Sequence, residues 1–565
     1  MFSHRIRLMI AATLITTACA SEERPDSPPH ADNESTDVVI YTGGTIYTGV
    51  DDTPTAEAVA VANGVILAVG SRDMVEDAAT GGVAIFDLNG ATMFPGFTDA
   101  HAHLLGIGLR ELTLNLEDIS SVSELVSTVA ERVQQAEDGE TVSGRGWIET
   151  GWPEGRMPNR IDLDPISRNN PVILFRADGH AAAVNSAALV AAGIDDTTPD
   201  PDGGRIERDE FGRATGILID DAMALIRDLL AAPTNDRKRE AYAVASDVYA
   251  AYGWTGIHNM SVDPDDVSMI EALSTNGALD IRVYNALDPA GFEMLETNGP
   301  QTSLNAKVIT QTIKLYVDGA LGSRGALLAE PYSDAPETSG LLRLPEDEAK
   351  DYFNRAIPAG IQIVTHAIGD KGNTLVLDWY EDTFAENQDA GGLRWRIEHA
   401  QILDTDDIAR FAALDVIPSM QPSHAIGDLF FAPDRLGQDR LDGAYPWRAL
   451  IDAGAIIPGG SDAPVERGDP LIEFYAAVAR RGLDGTQNED WRPAQAVTRA
   501  EAMKMFTIWP AFASFQENLL GTIEPGKRAD FTVFSKDIMV VPEAEILSAK
   551  PLLTIVDGEI VFRKS

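Results

Sequence analysis

The chain has 565 residues, with 44 Lys and Arg against 88 Asp and Glu, nine His and one Cys. Its hydrophobic content of 44% is typical of a globular protein with a sizeable core. The net charge of −44 disfavours nucleic-acid binding because phosphate would be repelled. A single Cys excludes a disulfide scaffold and cysteine-rich zinc modules, so any metal must be bound by nitrogen and oxygen ligands.

The N-terminus is predicted to lie outside the fold. Two arginines precede an apolar run at residues 8–15, and small residues follow as far as Cys19, which is typical of a secretory signal. The position of Cys19 resembles the lipidation site of a bacterial lipoprotein. We expect a signal peptide at 1–18, a flexible tether at 19–36, and export to the periplasmic side of a bacterial membrane. Ala20, which follows Cys19, is not an acidic retention signal, so we expect the protein to be anchored in the outer membrane. The alternative is a soluble secreted protein with an incidental Cys.

The two ends of the chain carry short strand-like runs separated by Gly and Asn turns. We predict that residues 37–92 and 505–565 together form one small β-sandwich domain. Residues 93–504 contain eight β-like runs that alternate with helical stretches, a pattern typical of an α/β protein with a (β/α)8 barrel. The runs are Ala91–Ala100, Thr255–Met260, Ile281–Ala286, Ile313–Gly319, Ile361–Ala367, Arg394–Ala400, Val416–Gln421 and Ile456–Asp462. The long gap after the first run predicts an inserted subdomain at approximately 110–235, and hence a distorted TIM-like barrel.

Histidines lie at the ends of several of these runs, where a barrel carries its active site. His101 and His103 end the first run, and side chains two residues apart on a strand point the same way, so the pair could bind one metal ion. His366 and His399 end the fifth and sixth runs, and Asp462 ends the eighth. Each residue alone is a weak signal, but together they supply four imidazoles and one carboxylate, which predicts a metal centre.

Lys314 is predicted to point into the barrel, because it alternates with the apolar Ile313 and Leu315. A bare buried ammonium group is costly. Two solutions are open: an ion pair with Asp318, or uptake of CO2 by the neutral amine to give an anionic carbamate ligand.

These motifs resemble the amidohydrolase superfamily. The segment Pro95–His103, the strand-terminal His366 and His399, and Ser461-Asp462 carry the resemblance. Segments 178–180, 314–324, 366–370 and 396–400 narrow it to the amidohydrolase-3 subgroup, which includes N-substituted formamide deformylases. The resemblance covers about residues 37 to 563.

The resemblance implies a metal-dependent hydrolase with one or two Zn ions, with Mn, Fe or Co as other possibilities. His101 and His103 match the first metal pair, His366 and His399 match the second, and Lys314 matches a lysine that is carboxylated in two-metal members. Asp462 matches an aspartate that contacts the metal and moves protons. The expected reaction is hydrolysis of a non-peptide, amide-type C–N bond of a small molecule by a metal-activated hydroxide.

Other polar residues are expected near the substrate. The resemblance suggests that His180 reaches the substrate pocket, although a structural hydrogen bond is the alternative. Ser323 and Arg324 follow the fourth run, and Arg324 could bind a substrate carboxylate or form a loop-closing ion pair. His258 is predicted to be buried and hydrogen-bonded, and His424 is a weaker candidate for substrate contact.

Two other functions remain open. The first is a deaminase of a cyclic amidine on the same barrel, which the position of Lys314 disfavours. The second is a non-catalytic, solute-binding surface lipoprotein, which the complete set of six predicted ligands disfavours. We expect no nucleic-acid partner, membrane contact only through the lipid anchor, and possible homodimers.

Overall fold

A computed structural model of the protein describes residues 38–80, 82–117, 119–149, 152–176, 181–201, 204–230, 232–387 and 390–564. The predicted signal peptide, Cys19, the tether and His180 lie outside these ranges. Within them, none of the helices has the length and apolar character needed to cross a bilayer.

The strands of the described residues form three sheets. They are β1 Val38–Tyr47, β2 Thr55–Ala62, β3 Val65–Gly70, β4 Val83–Asp87, β5 Thr92–Pro95, β6 Phe97–Ala102, β7 Leu114–Asn115, β8 Val142–Trp147, β9 Val172–Arg176, β10 Ala181–Val184, β11 Gly204–Arg208, β12 Ala214–Asp220, β13 Trp254–Val262, β14 Arg282–Leu287, β15 Gln301–Thr302, β16 Val308–Tyr316, β17 Gln362–Ala367, β18 Arg396–His399, β19 Ile417–Ser419, β20 Phe531–Phe534, β21 Pro551–Val556 and β22 Glu559–Arg563.

The helices lie mainly between the strands of the central sheet. The α-helices are α1 Arg72–Ala78, α2 Leu104–Leu112, α3 Val122–Gln135, α4 Arg160–Leu163, α5 Ser186–Ala191, α6 Asn235–Tyr252, α7 Val267–Thr275, α8 Phe292–Asn298, α9 Glu346–Ala359, α10 Asp370–Glu386, α11 Ile408–Ala413, α12 Pro422–Asp428, α13 Ala432–Leu436, α14 Trp447–Asp452, α15 Pro470–Ala479, α16 Arg499–Phe506, α17 Ile508–Ala513 and α18 Glu543–Ile546. Short 3-10 helices occur at Asp221–Leu229, Pro264–Asp266, Pro289–Gly291, Ala390–Leu393, Gln438–Gly443, Glu489–Trp491 and Pro493–Gln495.

The central sheet is a nearly closed barrel of parallel strands in the order β19-β18-β17-β16-β14-β13-β6, with β15 added antiparallel to β16. Apolar residues on the outer side of the strands pack against the helices in the largest buried cluster, which includes Ile313, Leu315 and Val317. The polar residues that alternate with them, including Lys314, therefore face the interior, as the alternation predicts.

The prediction of a regular eighth strand at Ile456–Asp462 is wrong. This segment closes the barrel through an isolated parallel bridge between Met420 and Gly459 and through the bond from Ala100 N to Gly459 O at 3.0 Å. Pro458 has no N–H to donate, which interrupts a ladder. A Cβ on Gly460 would lie 2.5 Å from His101 N, so glycine allows the segment to approach β6 closely.

The first predicted run, Ala91–Ala100, is divided between two strands instead of forming one. Gly96 separates β5, which pairs with β1 and β20, from β6 of the barrel. A Cβ at Gly96 would lie 2.3 Å from Thr255 Oγ1, so only glycine fits this crossing. Strands from both chain ends thus share one eight-stranded sheet, and β7 to β12 form a separate six-stranded sheet between β6 and β13 in the chain.

Candidate metal centre

The ends of four barrel segments bring the predicted ligands to one place. His101 lies in β6, and His103 follows that strand immediately. His366 lies in β17 and His399 ends β18. The ring centroid of His399 is 4.6 Å from that of His101 and 4.5 Å from that of His366.

Asp462 completes a compact donor set. Candidate ligand atoms of His101, His399 and Asp462 all lie within 4.8 Å of one another, and the three residues are buried. Asp462 Oδ1 is 3.0 Å from His103 Nε2 and 3.5 Å from His101 Nε2. The backbone of Asp462 is left-handed, with φ +58°, and its N–H donates to His101 O at 2.7 Å. This strained turn aims the carboxylate at the imidazoles, as often occurs at functional sites.

Three imidazoles are oriented by oxygen acceptors at Nδ1. The Nδ1 atoms of His101, His103 and His399 lie 2.5 Å from Glu398 Oε2, 3.1 Å from Met260 O and 2.8 Å from Gln421 Oε1, respectively. Because these oxygens only accept, Nδ1 donates, and a neutral imidazole then presents a lone pair at Nε2. For His101 and His103, that Nε2 faces Asp462 Oδ1. Such a convergence of lone pairs requires a cation or an added proton between them.

Lys314 and His366 extend the site along the barrel. Lys314 is 1% exposed, and its Nζ has no hydrogen-bond partner among the described residues. The alternative ion pair with Asp318 is wrong, because Asp318 accepts from the backbone amides of Leu327, Ile368 and Gly369 instead. Asp318 Oδ1 also lies 3.3 Å from His366 Nε2.

The electrostatics favour neutral nitrogen donors around an ionised carboxylate. Burial, followed by the nearby Lys314 charge, lowers the pKa of His101 to about 4, although Glu398 opposes the change. Burial and the neighbouring His366 hold the pKa of His399 well below its usual range. Burial lowers the pKa of Lys314 to about 8. Burial alone would raise the pKa of Asp462, but the contact with His103 and the nearby His101 and His424 outweigh burial and hold that pKa well below its usual range.

The donor set fits a divalent metal. Imidazole nitrogen and carboxylate oxygen are the ligands that Zn²⁺ accepts in catalytic sites, and Mn, Fe and Co accept the same types. In the described part of the chain, three buried polar atoms lack a hydrogen-bond partner that a bound group would supply: Nε2 of His101, Nε2 of His366 and Nζ of Lys314.

Ser323 and Arg324 lie on the loop after β16 and are engaged elsewhere. The hydroxyl of Ser323 donates to Ala320 O at 3.4 Å. The guanidinium of Arg324 donates to Asp334 at 3.2 and 2.9 Å, which is the loop-closing ion pair that the sequence left open. Their contact with substrate stays a prediction, as does that of His180.

Sequence reasoning missed two residues around the metal centre as functional positions, Glu398 and Gln421, whereas His424 was a weaker candidate for substrate contact. His424 Nε2 lies 3.6 Å from Asp462 Oδ2, and its ring stacks on His399 with 6.1 Å between centroids. A signal for Glu398 was available, because it alternates with the outward Ile397 and must face the barrel interior. The expectation for His258 is confirmed: it is 1% exposed, and its Nδ1 lies 2.9 Å from an Arg396 nitrogen.

Comparison with known proteins identifies the class that the sequence motifs predicted. Residues 84–562 match the model of the family described as Amidohydrolase family. YtcJ of Bacillus subtilis (strain 168) is 35% identical over 538 residues, covering 93% of this chain and 99% of that protein. The N-substituted formamide deformylase of Arthrobacter pascens is 29% identical over 525 residues, covering 90% of this chain and 95% of that protein.

A solved structure supports the fold as well. An uncharacterised metal-dependent hydrolase from Pyrococcus horikoshii OT3 has a TM-score of 0.74 and 28% identity, covering 90% of this chain and 99% of that one. The chain therefore belongs to the amidohydrolase family, and it is a metal-dependent hydrolase of the amidohydrolase superfamily.

Proposed function

We propose that this protein hydrolyses a non-peptide, amide-type C–N bond of a small molecule, with Asp462 moving the proton. The observation that carries the proposal is the convergence of the Nε2 atoms of His101 and His103 on Asp462 Oδ1. A metal bound there would lower the pKa of water and polarise the substrate carbonyl. The name of the Arthrobacter pascens relative, a formamide deformylase, favours an amide-type substrate.

The ligands divide into two groups. His101, His103 and Asp462 would hold one ion, which we expect to be Zn. His366 and His399 would hold a second ion together with Lys314 as a carbamate. In that modification the neutral Nζ forms a bond to the carbon of CO2 and releases one proton, leaving an anionic oxygen donor. Lys314 is buried and its Nζ has no hydrogen-bond partner among the residues that the structure describes, and both observations support this assignment.

The two oxygens of Asp462 face different neighbours. Oδ1 lies among the imidazoles, while Oδ2 is directed toward His424 Nε2, 3.6 Å away. One oxygen would therefore be available to hold a metal, while the other would take a proton from water and pass it to the departing nitrogen. Protonation of that nitrogen is required because an amine anion is a poor leaving group.

Substitution of Asp462 tests this role. Asp462→Asn keeps the size of the side chain and an oxygen ligand but removes the base, so we expect turnover to fall by about 10²- to 10⁴-fold with the metal retained. Elemental analysis of the purified variant would verify the metal content. The exposed Asp404→Asn is the matched control and should have wild-type turnover. Near-wild-type turnover of Asp462→Asn with bound metal would contradict the proposal.

A panel of N-formyl and N-acyl amines, assayed with metal-loaded protein, would identify the substrate class. Release of an amine together with a carboxylic acid supports the proposal. Release of ammonia from a heterocycle, with no acid formed, would instead favour the deaminase of cyclic amidines.

We also propose that the protein is a lipoprotein exported to the periplasmic side of a bacterial outer membrane, anchored through Cys19. The basic and apolar N-terminus and the small residues before Cys19 support this proposal. Failure of the protein to incorporate labelled fatty acid in a bacterial host would contradict it.

A further inference from the structure

A chain of four buried side chains crosses the barrel interior and ends on the metal centre. His101 Nδ1 lies 2.5 Å from Glu398 Oε2, and Glu398 Oε1 lies 2.6 Å from Arg396 Nε. Another nitrogen of Arg396 lies 2.9 Å from His258 Nδ1. The four residues are at most 1% exposed, so water does not compete for these contacts.

One assignment of the hydrogen positions is consistent with the contacts of these four side chains. The Glu398 carboxylate can only accept, so the hydrogen on the His101 ring lies at Nδ1 and the lone pair lies at Nε2. Arg396 holds the carboxylate from its other side. The remaining guanidinium nitrogen of Arg396 donates to Ala100 O at 2.7 Å and to Ser419 Oγ at 2.8 Å. Glu398 Oε2 therefore bonds to His101 while Oε1 forms an ion pair with Arg396 Nε, and these two contacts position the carboxylate.

We propose that Glu398, held by Arg396, is a positioning residue that sets the tautomer of His101 so that Nε2 is available to the bound metal. This inference rests on the proposed function, because it assigns His101 as a ligand. A carboxylate that orients a metal-binding histidine through its distal nitrogen raises the basicity of the ligand and fixes its ring.

An isosteric change separates this role from simple packing. In Glu398→Gln, Arg396 attracts the amide oxygen, so the amide NH2 group faces His101 Nδ1. Nδ1 must then accept, the ring hydrogen moves to Nε2, and Nε2 loses the lone pair needed for a metal. The size of the side chain is unchanged, so a role in filling space alone would leave metal binding intact.

Metal affinity is the first measurement. Competition with a chromophoric chelator, using Zn²⁺ alone, should show that Glu398→Gln binds at least one equivalent about 10- to 100-fold more weakly than wild type. The matched control is Glu473→Gln, a change at a fully buried carboxylate that accepts from Ser423 N instead of a metal-binding histidine. In a His101→Asn background, Glu398→Gln should cause no further loss, because its effect passes through the missing ring.

A second measurement needs no Glu398 variant, since the unpaired Arg396 could prevent that variant from folding. In metal-free wild-type protein labelled with ¹⁵N-histidine, the His101 signals, assigned by their loss in His101→Asn, should report the tautomer protonated at Nδ1. An Nε2-protonated tautomer, or wild-type metal affinity in folded Glu398→Gln, would overturn the inference. Absence of metal binding by the wild type would overturn the proposed function, while the tautomer result would still decide the role of Glu398.

Discussion

Two buried cations on neighbouring barrel strands have opposite surroundings. Arg282, at the start of β14, donates to both oxygens of Asp530 at 2.6 and 3.0 Å and to Asp557 at 2.5 Å. Lys314, near the far end of β16, is even less exposed and has no hydrogen-bond partner in the described parts of the chain. The paired cation joins the barrel to the sheet formed by the chain ends, whereas the unpaired one lies beside the metal ligands. We infer that the paired charge serves stability, whereas the unpaired amine is left available for the proposed carbamate.

Among the variants that test this contrast, we expect a substitution of Lys314 to have the largest effect on activity. Lys314→Met fills the same space but cannot take up CO2, so activity should fall by at least about 10²-fold and metal content should drop. Because no ion pair is broken, the melting temperature of the metal-free protein should not fall.

Rescue distinguishes the carbamate from other roles of Lys314. In Lys314→Ala, a short carboxylic acid such as propionate could supply the missing oxygen donor, and part of the activity should return as its concentration rises. The contrast between the two cations would be broken if Lys314→Met kept half of the wild-type activity and its full metal content.

Arg282→Met should show the reverse pattern. Removal of the guanidinium leaves Asp530, which is 7% exposed, as an uncompensated buried charge. We expect the free energy of unfolding to fall by about 3–5 kcal/mol, measured by urea denaturation, while activity per folded molecule is retained. The exposed Arg239→Met, whose partner Asp236 is also exposed, should change stability by no more than about 0.5 kcal/mol. Equal stabilities of the two variants would show that the buried pair does not stabilise the contact between the two sheets.

The sequence predicted the positions of the candidate ligands more fully than the contacts that support them. Strand alternation placed Lys314 inside the barrel, and the order of the runs placed His101, His366 and His399 at the ends of barrel strands. These predictions succeeded because they depend on short, periodic segments. The bond between His101 and Glu398 joins residues 297 positions apart, and no local pattern specifies such a pairing.

One wrong prediction and two questions that the sequence left open have identifiable physical causes. Residues 456–462 read as a strand from their apolar content, but Pro458 and the adjacent glycines interrupt regular pairing. The ion pair between Arg324 and Asp334 depends on how a long loop returns to the barrel, which side-chain types alone do not determine. Likewise, Asp318 was a plausible partner for Lys314 until the backbone placed three amide donors around it.

The same contrast extends to carboxylates and predicts the smallest effect. Asp530 is neutralised by Arg282, but Glu466, on the loop after Asp462, accepts no side-chain hydrogen bond in the parts of the chain that the structure describes. Burial, followed by the charges of Asp428 and Asp462, raises the pKa of Glu466 from 4.5 to about 8, although Arg145 opposes the change. The folded state therefore holds this proton more tightly than the unfolded chain, and stability must depend on pH.

Because the folded pKa lies above the unfolded value, the contribution of Glu466 is fully present below about pH 4.5 and is lost as the pH rises through about 8. Glu466→Gln cannot ionise, so its stability relative to wild type should increase across this window and level off above it. Urea midpoints of both proteins at pH 5, 7 and 9 would measure the difference, with the exposed Glu293→Gln as control. Parallel pH profiles for wild type and Glu466→Gln would show that the loop solvates this carboxylate and that its pKa is not raised by the fold.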